Sequence, residues 1–288
     1  MAEHPFRILN VFTAGEDRLS GNPLCVFEDG RSFSDTQMQA LARQFNLSET
    51  TFILPPSSPQ ATARVRIFTP GFEMPFAGHP TLGTAHVVRA LTSSGDRVTL
   101  EMIAGLVEVS SEGDSWRLKV ARPPETRKPS ASMKDLAEML GLPEAALAPN
   151  PLWVDTGSEQ LIVPLRDVVH VREAKPIAPL LLRHARSEKR GESLAYVWAR
   201  EAGGDQHAVA RFFFFSGNSV VEDPATGSAC ANLGGWWLDT RAPLPVKLEV
   251  RQGEAVRRPS ILHLEVDADR RIFVSGRVVE LGRGTVSL

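Results

Sequence analysis

The chain is 288 residues long, 42% apolar and 23% charged, with a formal net charge of -2 at pH 7. That length passes the size at which one hydrophobic core usually stops growing, so two domains are expected. No block of five like charges occurs, so the charge pattern speaks against nucleic-acid or anionic-membrane partners and points to a small molecule.

The opening "MAEHPFRILNVF" has neither the basic region nor the long apolar region of a signal peptide, and no stretch reaches the ~20 apolar residues of a membrane span. A cytoplasmic protein with no membrane role is expected. "FRILNVFT" and "SGNPLCVFED" read as two strands separated by a turn. A helix follows in "SFSDTQMQALARQFN", where Ser34 and Gln37 form a capping box, Phe33 and Met38 a staple, and Asn46 a left-handed stop. "SETTFILPP", "ARVRIFTP", "RVTLEMIAG", "LVEVSS" and "SWRLKVARPP" read as strands broken by Pro, Gly and Ser turns. Among them "HPTLGTAHVVRALTSSG" reads as a largely buried helix, which predicts a sheet wrapped around it.

Residues 121–133, "ARPPETRKPSASM", are proline-punctuated and polar, and they read as a linker. The second half repeats the theme. "SMKDLAEMLGL" is a short helix, "LWVDTGSEQLIVPL" and "HAVARFFFFSG" are strand-like, and "EDPATGSACANLGGWWLDT" is a loop feeding a helix. "LLLRHARSEKRGES" reads as a helix with a charged end, and "VKLEVRQGEAV", "SILHLEVD" and "RIFVSGRVVELGRGTVSL" close the chain as strands.

The two loop–helix segments echo each other. In "FEMPFAGHPTLG" and "VEDPATGSACAN", Glu73, Pro75 and Gly78 fall opposite Glu222, Pro224 and Gly227, each pair 149 positions apart (222 − 73, 224 − 75, 227 − 78). An offset of about half the chain predicts duplication of one domain. Each segment opens a helix on a glycine, where bare N–H groups and the positive end of the helix dipole can hold an anion. Two such ends would clamp a small carboxylate.

The residues able to do chemistry are few. Glu49, just before a β-rich run, and Asp223, before Pro224, are candidate general acid/base groups, with Glu222 read as a solvated neighbour of Asp223. His79 starts a helix, where the dipole disfavours imidazolium, so a neutral hydrogen-bonding ring is expected. Ser228 lacks a nucleophile elbow and is not read as a nucleophile. The two cysteines, Cys25 and Cys230, read as small buried hydrophobes. His79 and His86 are two turns apart, roughly 10 Å at the helical rise, too far to share an ion, so no metal is expected.

Six segments in order, "SGNPLCVF", "NLSETTFIL", "RIFTPGFEMPFAGHPTLGTA", "VVEDPATGSACA", "RQGEAVRRPS" and "GRGTVSL", resemble the phenazine-biosynthesis PhzF-like isomerases, relatives of diaminopimelate epimerase. The resemblance spans nearly the whole chain. It implies an α+β protein of two pseudo-symmetric domains, each a mixed β-barrel-like sheet around a central helix, with the active site between them. Residues 1–122, completed by a returning strand at 277–288, would form the N-terminal domain, and 123–276 the C-terminal one. It further implies a homodimer and a cofactor-free isomerase of the trans-2,3-dihydro-3-hydroxyanthranilate type. Glu49 occupies the place of the proton-shuttling glutamate. His79, Asp223 and Ser228 occupy the places of polar residues contacting substrate, and Gly78 and Gly227 those of backbone N–H contacts. The related epimerase uses two thiols, and neither Cys25 nor Cys230 stands where they would be. A racemase or epimerase of an amino-acid-like substrate, or a non-catalytic binder of an aromatic acid, are the alternatives.

Overall fold

The computed structural model describes residues 2–203 and 206–288. In chain order the elements are β1 (Glu3–Val11), β2 (Asn22–Phe27), α1 (Asp35–Phe45), β3 (Glu49–Leu54), β4 (Ala63–Phe68), β5 (Glu73–Met74), α2 (Gly78–Thr92), β6 (Arg97–Met102), β7 (Gly105–Glu112) and β8 (Ser115–Lys119). There follow β9 (Glu125–Arg127), α3 (Met133–Met139), β10 (Leu152–Asp155), β11 (Gln160–Pro164), α4 (Val168–Glu173), α5 (Ala178–His184), β12 (Leu194–Arg200), β13 (His207–Ser216) and β14 (Ser219–Asp223). The chain ends with α6 (Gly227–Asp239), β15 (Val246–Gln252), β16 (Ser260–Val266) and β17 (Ile272–Ser287). Two compact units result: residues 1–119 with 275–288, and residues 120–274.

In the first unit the strands close on themselves. β1 pairs with β2, β2 with β3, β3 with β4, β4 with β6, β6 with β7 and β7 with β8, and β17 joins β8 back to β1. This eight-strand ring is mixed, with β2–β3 and β4–β6 parallel, and α2 packs against strands on every side of it. Because side chains alternate along a strand, β2 serves two cores at once. Leu24 faces Gly83 of α2, while Cys25 and Phe27 join Phe33, Met38 and Phe52 under α1. Phe27 and Phe52 stack with ring centroids 4.9 Å apart. The α1 ends form as the sequence predicts: Ser34 and Gln37 close the capping box, and Asn46 takes φ 52°.

The second unit repeats this order. β11–β12 and β13–β15 are parallel, β13–β14 is a hairpin that leads into α6, and β15–β16 is antiparallel. Matching these to β2–β3, β4–β6, β4–β5 and β6–β7 makes α6 the counterpart of α2. The register extends the match to single residues. Leu24 pairs with Glu49, and Leu161 pairs with Ala195.

Two readings are corrected. Residues 121–133 are more than a linker, since β9 pairs there with β10 at Trp153↔Arg127. The charged stretch after Leu180 is helical only to His184; a bridge between Arg186 and Ser193 then turns the chain back toward β12. The Arg190–Glu192 ion pair and the bond from Arg190 N–H to Ser187 Oγ hold that turn, in place of helical i,i+4 pairs.

A helix enclosed by strands must carry small residues where strands pass closest. A Cβ on Gly235 would lie 2.7 Å from Val154 Cγ1 and 2.8 Å from Pro124 Cβ. Helix propensity alone favours Gly235→Ala by about 1 kcal/mol, whereas the contact with a rigid proline costs about 1–3 kcal/mol. Gly235→Ala is therefore expected to be net destabilising, read as a lower urea midpoint at unchanged m-value.

Candidate functional site

In the first unit, β3 begins at Glu49 and α2 begins at Gly78, and the fold brings Glu49 together with His79, the second residue of α2. The Nε2 of His79 lies 3.3 Å from Glu49 Oε2, with the two side chains only 6% and 14% exposed. Burial pushes the His79 ring down to about 3, against the opposing effect of its hydrogen bond to the Pro23 carbonyl. The ring is therefore neutral. Since Nε2 faces the carboxyl and Pro23 has a carbonyl but no N–H to offer, the neutral ring is assigned the tautomer with its proton on Nδ1, which leaves the Nε2 lone pair toward Glu49. A single proton placed between these atoms turns a lone-pair contact into a hydrogen bond. The α2 N-terminus itself has no side-chain cap, Ala77 being its N-cap.

In the second unit α6 also starts without a side-chain cap. Thr226, the residue before Gly227, donates its hydroxyl to Asp223 Oδ2 at 2.6 Å. The Gln252 amide fastens this turn, donating to Asp223 O at 2.9 Å and to Thr226 Oγ1 at 3.0 Å, and accepting from Thr226 N–H at 3.3 Å. Asp223 is the last residue of β14, and Ser228 the second of α6. Ser228 Oγ accepts from Gln160 Nε2 at 2.9 Å. Gln160, Asn232 and Gln252 do not stand out in the sequence as candidates. A signal existed for Asn232, a polar residue within the small and apolar run "ACANLGG", since a buried amide must find partners.

The reading of Glu222 as solvated is overturned. Its side chain is 9% exposed and forms a fork with Arg211, at 2.7 and 3.1 Å. The first unit has the same fork, Arg66 to Glu73 at 2.7 and 2.6 Å. Arg66 lies over Phe68 and Arg211 over Phe213, so the acid shared by both loop–helix segments belongs to a repeated scaffold clamp. Both cysteines are buried, and burial pushes both thiols well above their ordinary range. Among the described residues no three His, Cys, Asp or Glu side chains are grouped to hold a metal ion, and no helix is long and apolar enough to cross a membrane.

Residues 9–284 match the family model described as phenazine biosynthesis-like protein, PhzC-PhzF. An uncharacterised isomerase of Pasteurella multocida is 36% identical over 99% of this chain and 94% of its own. The trans-2,3-dihydro-3-hydroxyanthranilate isomerase of Pseudomonas chlororaphis is 33% identical over 99% of this chain and 100% of its own. The crystal structure of a PhzF-family phenazine biosynthesis protein from Bacillus anthracis, 23% identical, superposes with a TM-score of 0.82 over 100% of both chains and shares the fold.

The buried neutral His79 has a consequence for stability. The unfolded ring protonates near 6.5 and the folded one only near 3, so below pH 6.5 the unfolded state binds the extra proton. Its effect on stability is absent above that pH and grows as pH falls toward 3, at up to ~1.4 kcal/mol per pH unit. Urea unfolding across this window is expected to show a steeper acid loss for wild type than for His79→Gln.

Proposed function

The chain belongs to the phenazine biosynthesis-like PhzC-PhzF family of isomerases, and from that premise we propose that it moves a carbon-bound proton on a small cyclic carboxylate, without a cofactor, using Glu49 as the shuttle. The observation that carries this reading is the buried Glu49–His79 pair. A carboxylate at Glu49 takes a proton from one substrate carbon, becoming a carboxylic acid while the electron pair passes into the substrate's conjugated system. The acid then returns the proton to a different carbon, and the double bonds shift accordingly. Between the two steps neutral His79 Nε2 accepts a hydrogen bond from the Glu49 acid without removing its proton, and so holds the carboxyl group in place for the second transfer.

Asp223 and Ser228 are assigned the substrate's polar groups, and the N-terminal N–H groups at Gly78 and at Gly227 are each suited to an anion. The substrate of the Pseudomonas chlororaphis relative, trans-2,3-dihydro-3-hydroxyanthranilate, is the first compound of this class to test. A thiol-dependent racemase is disfavoured by the burial of Cys25 and Cys230, since it is the thiolate that would remove a proton.

With trans-2,3-dihydro-3-hydroxyanthranilate in deuterated water, wild type is expected to incorporate solvent deuterium into the product. Glu49→Gln is expected to do so roughly 10² to 10⁴ times more slowly, and Cys230→Ala at the wild-type rate. Undiminished incorporation by Glu49→Gln would remove the shuttle, and loss in Cys230→Ala would restore the thiol mechanism.

A further inference from the structure

The second unit contains a chain of side-chain amides whose direction is fixed by the backbone at its far end. Asn232, on α6, is 0% exposed, and Gln160, at the start of β11, is 2% exposed, so their hydrogen bonds must be met within the protein. The Thr156 backbone N–H, which can only donate, points to Asn232 Oδ1 at 2.9 Å, and Thr156 Oγ1 donates to the same atom at 2.7 Å. The Ser158 carbonyl, which can only accept, takes Asn232 Nδ2 at 2.8 Å. These two backbone groups settle which end of the Asn232 amide is nitrogen. The second Nδ2 hydrogen then goes to Gln160 Oε1 at 2.8 Å. The amide of Gln160 is oriented in turn, and its Nε2 donates to Ser228 Oγ at 2.9 Å.

We propose that Asn232 and Gln160 are positioning residues that make the Ser228 hydroxyl an outward donor, so that this position takes a hydrogen-bond acceptor such as a carboxylate oxygen and rejects a donor such as an amide NH₂ or ammonium. Ser228 cannot donate toward Gln160, because an N–H already faces it there. Its O–H hydrogen is left for a ligand beside the uncapped first turn of α6, whose N–H groups favour the same kind of atom. The corresponding place in the first unit uses the same device with different chemistry. Pro23 is the residue before Leu24, as Gln160 is the residue before Leu161, and its carbonyl orients the ring of His79, the second residue of α2. One unit thereby fixes an acceptor nitrogen at that helix position, the other a donor hydroxyl.

This inference rests on the assignment of Ser228 to substrate, and the test separates the two. Gln160→Glu keeps the shape but places a carboxylate oxygen against Ser228, which turns the hydroxyl inward. In the deuterium-incorporation assay with trans-2,3-dihydro-3-hydroxyanthranilate, both Ser228→Ala and Gln160→Glu are expected to raise KM about 10- to 100-fold with kcat much less affected. The double variant is expected to be no worse than the weaker single one, because Gln160 acts only through Ser228. A KM effect of Ser228→Ala with none from Gln160→Glu, or with full additivity in the double variant, overturns the positioning role and leaves the proposed function standing. No effect of Ser228→Ala overturns both the positioning role and the assignment of Ser228 to substrate. A neutron structure of the deuterated wild type needs neither variant nor substrate: a deuteron on Ser228 Oγ directed away from Gln160 supports the proposal, and one directed at Gln160 overturns it.

Discussion

A helix enclosed by its own strands has no free face and can offer a ligand only its ends. That constraint shapes both units. α2 and α6 are buried along nearly their whole length, so they carry no polar stripe and need glycine where strands pass closest, at Gly83 against Leu24 and at Gly235 against Val154 and Pro124. Their N-termini lack side-chain caps, and an uncapped N-terminus holds unsatisfied N–H groups and partial positive charge. Capping them with Ser or Asp would stabilise each helix by ~1 kcal/mol but would occupy the same groups. The side chain best placed to reach a ligand is then the second residue of the helix, and this is where His79 and Ser228 stand.

Once the fold has been repeated, divergence at matched positions distributes the chemistry. The partner of Leu24 is Glu49, and the partner of the matching Leu161 is Ala195, so only the first unit has an acid on that strand. Pro23, with no N–H of its own, offers a carbonyl that fixes a neutral histidine, whereas Gln160 offers an amide N–H that fixes a serine. The amide needs a second amide behind it to hold its direction, and Asn232 provides this from a helix whose other buried residues are all small or apolar. Under the proposed function, proton transfer calls for a group that can gain and lose charge, such as Glu49, and holding a carboxylate calls for one that cannot, such as Ser228.

Much of the fold was legible because its signals are local. Ser34, Gln37 and Asn46 mark both ends of α1 through bonds spanning four residues or fewer, and the buried character of α2 and α6 follows from composition alone. β9 was hidden because a strand of three residues, set between Pro124 and Pro129, gives no period to read; only pairing with β10 makes it a strand. The over-long helix after Leu180 arose because Arg, Ser, Glu and Lys suit an exposed helix as well as an exposed turn, and the Arg186–Ser193 bridge that decides between them is a pairing the helical pattern does not contain. For the candidate site, sequence offered Glu49, His79, Asp223 and Ser228, the first two of which the fold brings into contact. It did not offer Gln160, whose role comes from Asn232, 72 positions away.

The repeated acid before each helix shows how a shared motif can divide between scaffold and chemistry. Glu73 and Glu222 were the first members of the echo, yet each is tied to an arginine two residues before its strand partner, Phe68 or Phe213. Arg66 also reaches Asp35 in the first turn of α1, and Arg211 donates to the carbonyls of Val171, Arg172 and Ala174 at the end of α4. Each arginine fastens the hairpin that launches the central helix to an outer helix, at the end whose dipole or side chain suits a cation. Neighbouring residues on a strand point to opposite faces, so the residue after each glutamate, Met74 or Asp223, is turned away from the clamp. Glu222 and Asp223 therefore serve different ends, because an acid bound to the arginine on one face leaves its neighbour to the other, where Asp223 meets Thr226 at the start of α6.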